Sequence, residues 1–124
     1  MTIQFDNETP IYLQIADMIR QSIMSGEIQE GEAIPSVRQI SVEQNLNPQT
    51  VLNATQQLIN EDLIQKRRGL GMFVKDGARR QLLQNASEKF KEEEVPVMVS
   101  RARLLNISKN ELIDIVEESY EEAH

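Results

Sequence analysis

The chain has 124 residues, 40% of them hydrophobic and only 4% aromatic, with no Cys and no Trp. That suffices for one domain, or one small domain plus an appendage, whose core rests on Ile, Leu, Val and Met. Without Cys there are no disulfides, Cys-based zinc fingers or thiol catalysis, and a reducing compartment suits the composition. No apolar run approaches the roughly 18 residues of a membrane span, and the segment Met1–Asp6 lacks the basic and apolar regions of a signal peptide. A soluble cytoplasmic protein is expected.

A net charge of −7 argues superficially against a nucleic-acid partner, but the charge is unevenly placed. Residues 1–32 hold one Arg against six acids, residues 33–80 seven Lys/Arg against four acids, and residues 81–124 five against ten. Local balances of −5, +3 and −5 follow. Phosphate binding depends on the potential at the contact face, because more distant charges are screened within about 8–10 Å at physiological salt. The acidic ends lower non-specific affinity without preventing binding.

Pro10 opens a helical pattern in which Ile11, Ile15, Met18, Ile19 and Ile23 recur at three- and four-residue steps, so they share a buried face. Gly26 is placed to end that helix. A turn-rich connection follows, with a very short strand around Ile34. Pro35-Ser36 starts a second helix, and Ser36 with Gln39 three residues on is a capping box. Val37, Ile40 and Val42 are expected to face inward. Asn45-Leu46-Asn47 forms the turn, and Asn47-Pro48 starts a third helix, with Asn as N-cap and Pro at the first helical position. Val51, Ala54, Leu58 and Ile59 make its buried stripe. The opposite face carries Gln49, Thr50, Asn53, Gln56 and Gln57, polar but uncharged side chains of the kinds that hydrogen-bond base edges.

Leu63–Lys66 and Met72–Lys75 read as short strands joined through Arg67-Arg68-Gly69-Leu70-Gly71, a hairpin whose glycines permit the positive φ of a tight tip. Three consecutive cations there are hard to explain by packing. After Asp76-Gly77 a helical pattern runs through Leu82, Leu83, Ala86 and Phe90 to Pro96, which either kinks this helix or starts another. Asn106 can take the left-handed conformation that ends a helix. Ser108 and Glu111 form another capping box before a last amphipathic helix, with Leu112, Ile113, Val116 and Tyr120 inward. Glu92-Glu93-Glu94 is a solvated face rather than a cation site, since no His supports it, and His124 is a lone terminal imidazole. No metal or cofactor is expected.

Two helix starts followed by a basic, glycine-punctuated hairpin are the order of a winged helix-turn-helix. The fold class is therefore mostly α with a small β wing, followed by a short helical tail of two or three helices. Residues 1–76 form the DNA-binding domain and residues 77–124 the tail. At this point the stretch from Pro10-Ile11-Tyr12-Leu13-Gln14-Ile15 to Phe73-Val74 resembles the DNA-binding domain of the GntR family of bacterial transcription regulators. Pro35-Ser36-Val37-Arg38, Asn47-Pro48-Gln49-Thr50-Val51 and Arg68–Val74 carry the match. The tail around Leu104–Leu112 looks like the YtrA subfamily. The resemblance implies a homodimer joined by its tails, double-stranded DNA with an inverted-repeat operator as partner, and repression. A small-molecule effector is left open.

Carried onto matching positions, the resemblance makes Ser36 and Thr50 phosphate contacts and points Arg38 into the major groove. It places Asn47, Gln49 and Asn53 at the start of the recognition helix, and Arg67, Arg68 and Gly69 on a wing entering the minor groove. Asn53 and Thr55 stand where many relatives have Arg or Lys and Tyr, and Leu70 replaces a common Lys, which predicts affinity at the modest end for the family. The competing reading is a winged-helix adaptor that contacts protein and has no operator. The amide-rich face and the local +3 argue against it. An enzyme lacks any support: there is no thiol, His pair, phosphate loop or apolar carboxylate pair. Gly69-Leu70-Gly71 is too short for a nucleotide fingerprint and lies between strands rather than before a helix.

Overall fold

The computed structural model describes residues 4–123. Met1–Ile3, part of the segment read as lacking a signal peptide, and His124 lie outside them. The chain divides into two compact units, Met1–Gln84 and Asn85–His124. In the first unit, helix α1 (Ile11–Ser25) follows Pro10 as N-cap and stops at Gly26, whose φ of 85° is left-handed. Ile15, Ala16, Ile19 and Ile23 are fully buried along one stripe. Ile11, placed on that stripe by its spacing, is instead 40% exposed, because the first residue of the helix lies at the edge of the core, where Tyr12 packs.

Helix α2 (Val37–Gln44) begins with the complete capping box: Gln39 N–H donates to Ser36 Oγ at 3.1 Å, and Ser36 N–H to Gln39 Oε1 at 2.8 Å. Val42 was expected inward but is 75% exposed. Steps of three and four from Val37 lead to Ile40 and Ser41, and those two are buried. The Ser41 hydroxyl donates to Val37 O at 2.6 Å, which makes its burial tolerable. Asn45, with φ of 54°, ends the helix. Helix α3 (Pro48–Asn60) buries Val51, Ala54, Thr55 and Leu58, with Ile59 half-buried. It packs across α1 and beside α2.

Strands β1 (Ile64–Arg67) and β2 (Gly71–Val74) pair antiparallel, with Ile64 opposite Val74 and Arg67 opposite Gly71. The short strand expected near Ile34 is a single bridge from Ala33 to Phe73, continued by Ile34 N–H to Met72 O and Val74 N–H to Glu32 O. β2 is therefore held along both edges. Helix α4 (Ala78–Lys89) contributes Ala78 and Leu82 to the same core. The first unit consequently runs past Asp76: two buried side chains of α4 complete the packing that α1, α3 and the hairpin begin.

An ion pair ties α1 to the end of α3. Arg20 Nε donates to Glu61 Oε1 at 3.0 Å, its second nitrogen lies 2.5 Å from Oε2, and Gln57 Nε2 donates to Oε2 at 3.0 Å. Burial pushes the Glu61 carboxyl up, but the bonds from Arg20 and Gln57 and the Arg20 charge outweigh it, leaving it below the usual carboxylate value. A lowered folded-state pKa gives stability that is present above the unfolded value and lost as pH falls through the folded one. Glu61→Gln is expected to cost about 0.5–1.5 kcal/mol at neutral pH, since the pair is partly solvated. Urea melts of both proteins against pH should converge once the carboxylate is protonated. A gap that persists in acid would assign the loss to packing instead.

In the second unit the helical run continues from α4 through a π-helical turn, Phe90–Glu94, into α5 (Val95–Leu104). Val95 N–H bonds to Phe90 O, five residues back. Pro96 stands in the first turn of α5, and the helical run passes into that helix without an intervening loop. Its ring would collide with the carbonyl four residues earlier in a regular helix, and a wide turn directly before it is one way to accommodate it. Asn106, with φ of 59°, ends α5, and Ile107 N–H closes the end on Ala102 O at 2.9 Å. Helix α6 (Lys109–Glu122) starts at Ser108, whose hydroxyl accepts Glu111 N–H at 3.1 Å, the Ser108 half of the expected box. Its stripe is not inward within the chain: Ile113, Val116 and Tyr120 are exposed, Leu112 is half-buried, and no described residue of α6 is buried.

Candidate nucleic-acid interface

Three local structures of the first unit carry every residue singled out for DNA contact. At the start of α2, Ser36 Oγ accepts a backbone bond, while its hydroxyl proton is free to donate outward. Arg38 is exposed and, among the described residues, makes no ion pair or side-chain hydrogen bond. It flanks an open groove of about 690 Å³ whose other walls include Ile28, Pro35 and Val42. The unbonded N–H groups of a helix's first turn, with an adjacent guanidinium, suit a phosphate or a guanine edge.

At the start of α3, Asn47 Oδ1 accepts Gln49 N–H at 2.8 Å. The Asn47 oxygen is therefore spent on the cap, and only its amide nitrogen can reach outward. Asn47→Ala is expected to cost about 1 kcal/mol of folding stability. Chemical denaturation checks this, and an unchanged midpoint would deny the cap its role. Thr50 is half-buried, and Gln49 and Asn53 are exposed. Gln49 Nε2 donates to Asn53 Oδ1 at 3.0 Å, and Gln56 Nε2 to Asn60 Oδ1 at 2.9 Å. Each i, i+4 pair fixes the orientation of both amides before any partner arrives.

Gln49, Leu52, Asn53, Gln56, Lys66 and Met72 line a groove of about 340 Å³ between α3 and the hairpin. Leu52, 46% exposed there, escaped sequence reasoning. The signal was available: the buried stripe of α3 passes through Val51, Ala54, Thr55 and Leu58 and leaves Leu52 on the amide face. At the hairpin tip, Leu70 N–H closes a turn on Arg67 O at 2.9 Å. Gly69, at the third position of that turn, has φ of 77°, a value L side chains rarely adopt. Arg68 and Leu70 project from the tip, the latter 71% exposed. Arg67 does not belong to the tip as expected. It closes β1, and its guanidinium lies 4.4 Å from the ring centroid of Phe73. Packing explains one of the three consecutive cations after all.

A helix start bearing a free guanidinium, an amide-covered helix and a basic hairpin form a continuous series within one unit. The sequence model for bacterial regulatory proteins of the gntR family matches residues 11–74, from the start of α1 to the end of β2. The chain belongs to the GntR family. It is 29% identical over 114 residues to the HTH-type transcriptional regulator YhcF of Bacillus subtilis, covering 92% of this chain and 93% of that one. The HTH-type transcriptional repressor YtrA of the same organism is 32% identical, with 73% and 72% covered. A GntR family transcriptional regulator from Listeria monocytogenes superimposes with a TM-score of 0.76 at 28% identity, covering 92% of this chain and 98% of that one. These likenesses run past β2 into the tail, which agrees with the YtrA-like assignment. The protein is thus a GntR-family transcription regulator with a winged-helix DNA-binding fold. Among the described residues no helix is long and apolar enough to cross a membrane.

Proposed function

We propose that this GntR regulator is a repressor that binds an inverted-repeat operator as a homodimer, its first unit reading DNA and its second joining two copies. The observation that carries the first part is the composition of the exposed α3 face. It offers oriented amides and one apolar side chain with no cation, beside a hairpin that supplies Lys66 and Arg68. Amides pair with adenine edges and an apolar side chain meets the thymine methyl, while the cations hold the sugar–phosphate backbone. Ser36, Thr50 and the wing position the helix; Arg38, Gln49 and Asn53 read bases; Asn47 chiefly shapes the helix start. Repression is supported by the name of the YtrA relative. A chain that acts on chromosomal DNA works in the cytoplasm.

The second part rests on the exposed apolar side chains of the second unit, Val97, Met98, Leu104, Ile113 and Val116 among them. Isolated apolar side chains on a surface need no explanation, but a series at helical spacing does. Selecting bound fragments from the source genome tests the whole proposal. Recovered sites with two-fold symmetry and half-sites about one helical turn (~34–36 Å) apart are the expected result. Asymmetric sites, or none above random duplex, would overturn it.

A further inference from the structure

We infer that Phe73 is a positioning residue for DNA binding: its ring holds the Arg67 guanidinium in the pose from which that cation meets the DNA backbone. The inference rests on the DNA-binding proposal above and concerns a residue that touches no DNA in it. Arg67 and Phe73 occupy diagonal positions of the hairpin, since Arg67 pairs with Gly71 and Phe73 with Gln65, so both side chains stand on one face. The guanidinium carbon lies 4.4 Å from the ring centroid, within cation–π range. Among the described residues no carboxylate pairs with Arg67, so no ion pair competes with the ring.

The platform is itself fixed. β2 is bonded to β1 on one edge and to the Gly31–Ile34 segment on the other, through Ala33–Phe73, Ile34 N–H to Met72 O and Val74 N–H to Glu32 O. A ring on a strand held from both sides cannot swing with the hairpin tip. An unrestrained Arg loses rotamer freedom whenever it binds a phosphate, whereas a stacked guanidinium keeps its N–H edge pointing outward and has less to lose. Arg68, in the turn itself, has no ion pair or ring contact among the described residues. The two adjacent cations therefore differ in kind: Arg67 is preset, and Arg68 adapts.

The test is a double-mutant cycle on the full-length protein, using an operator duplex recovered from genomic selection. Phe73→Leu should weaken binding about two- to fivefold, the weight of one exposed cation–π contact. Phe73→Tyr, which keeps a ring, should bind as the wild type does. In an Arg67→Ala background Phe73→Leu should change nothing further. In the free protein the Arg67 side-chain protons should carry a ring-current shift that Phe73→Leu removes. Equal losses from Phe73→Leu with and without Arg67, or a wild-type affinity for Phe73→Leu, would overturn the inference while leaving DNA binding intact. Failure of the wild type to bind any duplex would overturn the DNA-binding proposal and this one together.

Discussion

A chain ending at Gln84 is expected to fold, to be monomeric, and to bind the operator about 10²–10⁴-fold more weakly than the full-length protein, the loss that follows when two linked sites are separated. Folding is expected because the first unit has its own core, from Ile15 and Ile19 of α1 through Leu58 of α3 to Leu82 of α4. A cut at Gly77 would remove Ala78 and Leu82 from that core and confuse unfolding with loss of the dimer. Monomer is expected because the removed segment carries exposed apolar side chains such as Val97, Met98, Leu104, Ile113 and Val116, and no described residue of α6 is buried within the chain. Analytical ultracentrifugation and a gel shift at one salt concentration check both halves. A dimeric truncated chain would remove the tail from the interface. A monomer with undiminished affinity would instead show that each half-site is bound independently.

Arg38→Ala is expected to cost roughly 1–3 kcal/mol of operator binding and to relax base preference at one position of each half-site. The reason lies in what surrounds the side chain. Arg38 is the second residue of α2, directly behind the Ser36 cap, exposed and without an ion pair among the described residues, so no salt bridge is lost with its guanidinium. Its removal should leave the melting midpoint nearly unchanged. Titration against operator and random duplexes separates the two roles a surface Arg can play. A loss confined to the operator marks a base contact. An equal loss on both, with the salt slope reduced by about one, would make Arg38 a phosphate anchor.

The helix boundaries were legible because caps are local chemistry. Ser36, Asn47 and Ser108 each accept a backbone N–H two or three residues ahead, and Gly26 and Asn106 take the left-handed conformation their sequence positions announce. Such contacts close within one turn, so adjacent residues suffice to specify them. The winged helix and all nine residues named for DNA contact fall in the first unit, as their order along the chain implies. The apolar pattern ends the first strand at Lys66, one residue short of its end at Arg67. Hairpin pairing decides where a strand ends, and it carried Arg67 into β1 opposite Gly71, over Phe73. Val42, expected inward, is exposed because the helical period from Val37 selects Ser41.

Apolar spacing in the last helix correctly grouped Ile113, Val116 and Tyr120 with Leu112, yet it could not say whether their face is covered. The sequence by itself determined where the helices begin and end, that a basic hairpin follows a helix-turn-helix, and which side chains share a face. Those properties depend on residues within a turn or two of one another. Only the tertiary structure decided which faces find a partner inside the chain. It also paired Arg20 with Glu61, seated Arg67 on Phe73, and drew Ala78 and Leu82 into the first core. The first and last of those contacts join segments far apart in the sequence, the second depends on hairpin register, and the energy of all three depends on distance in space, which no local pattern encodes.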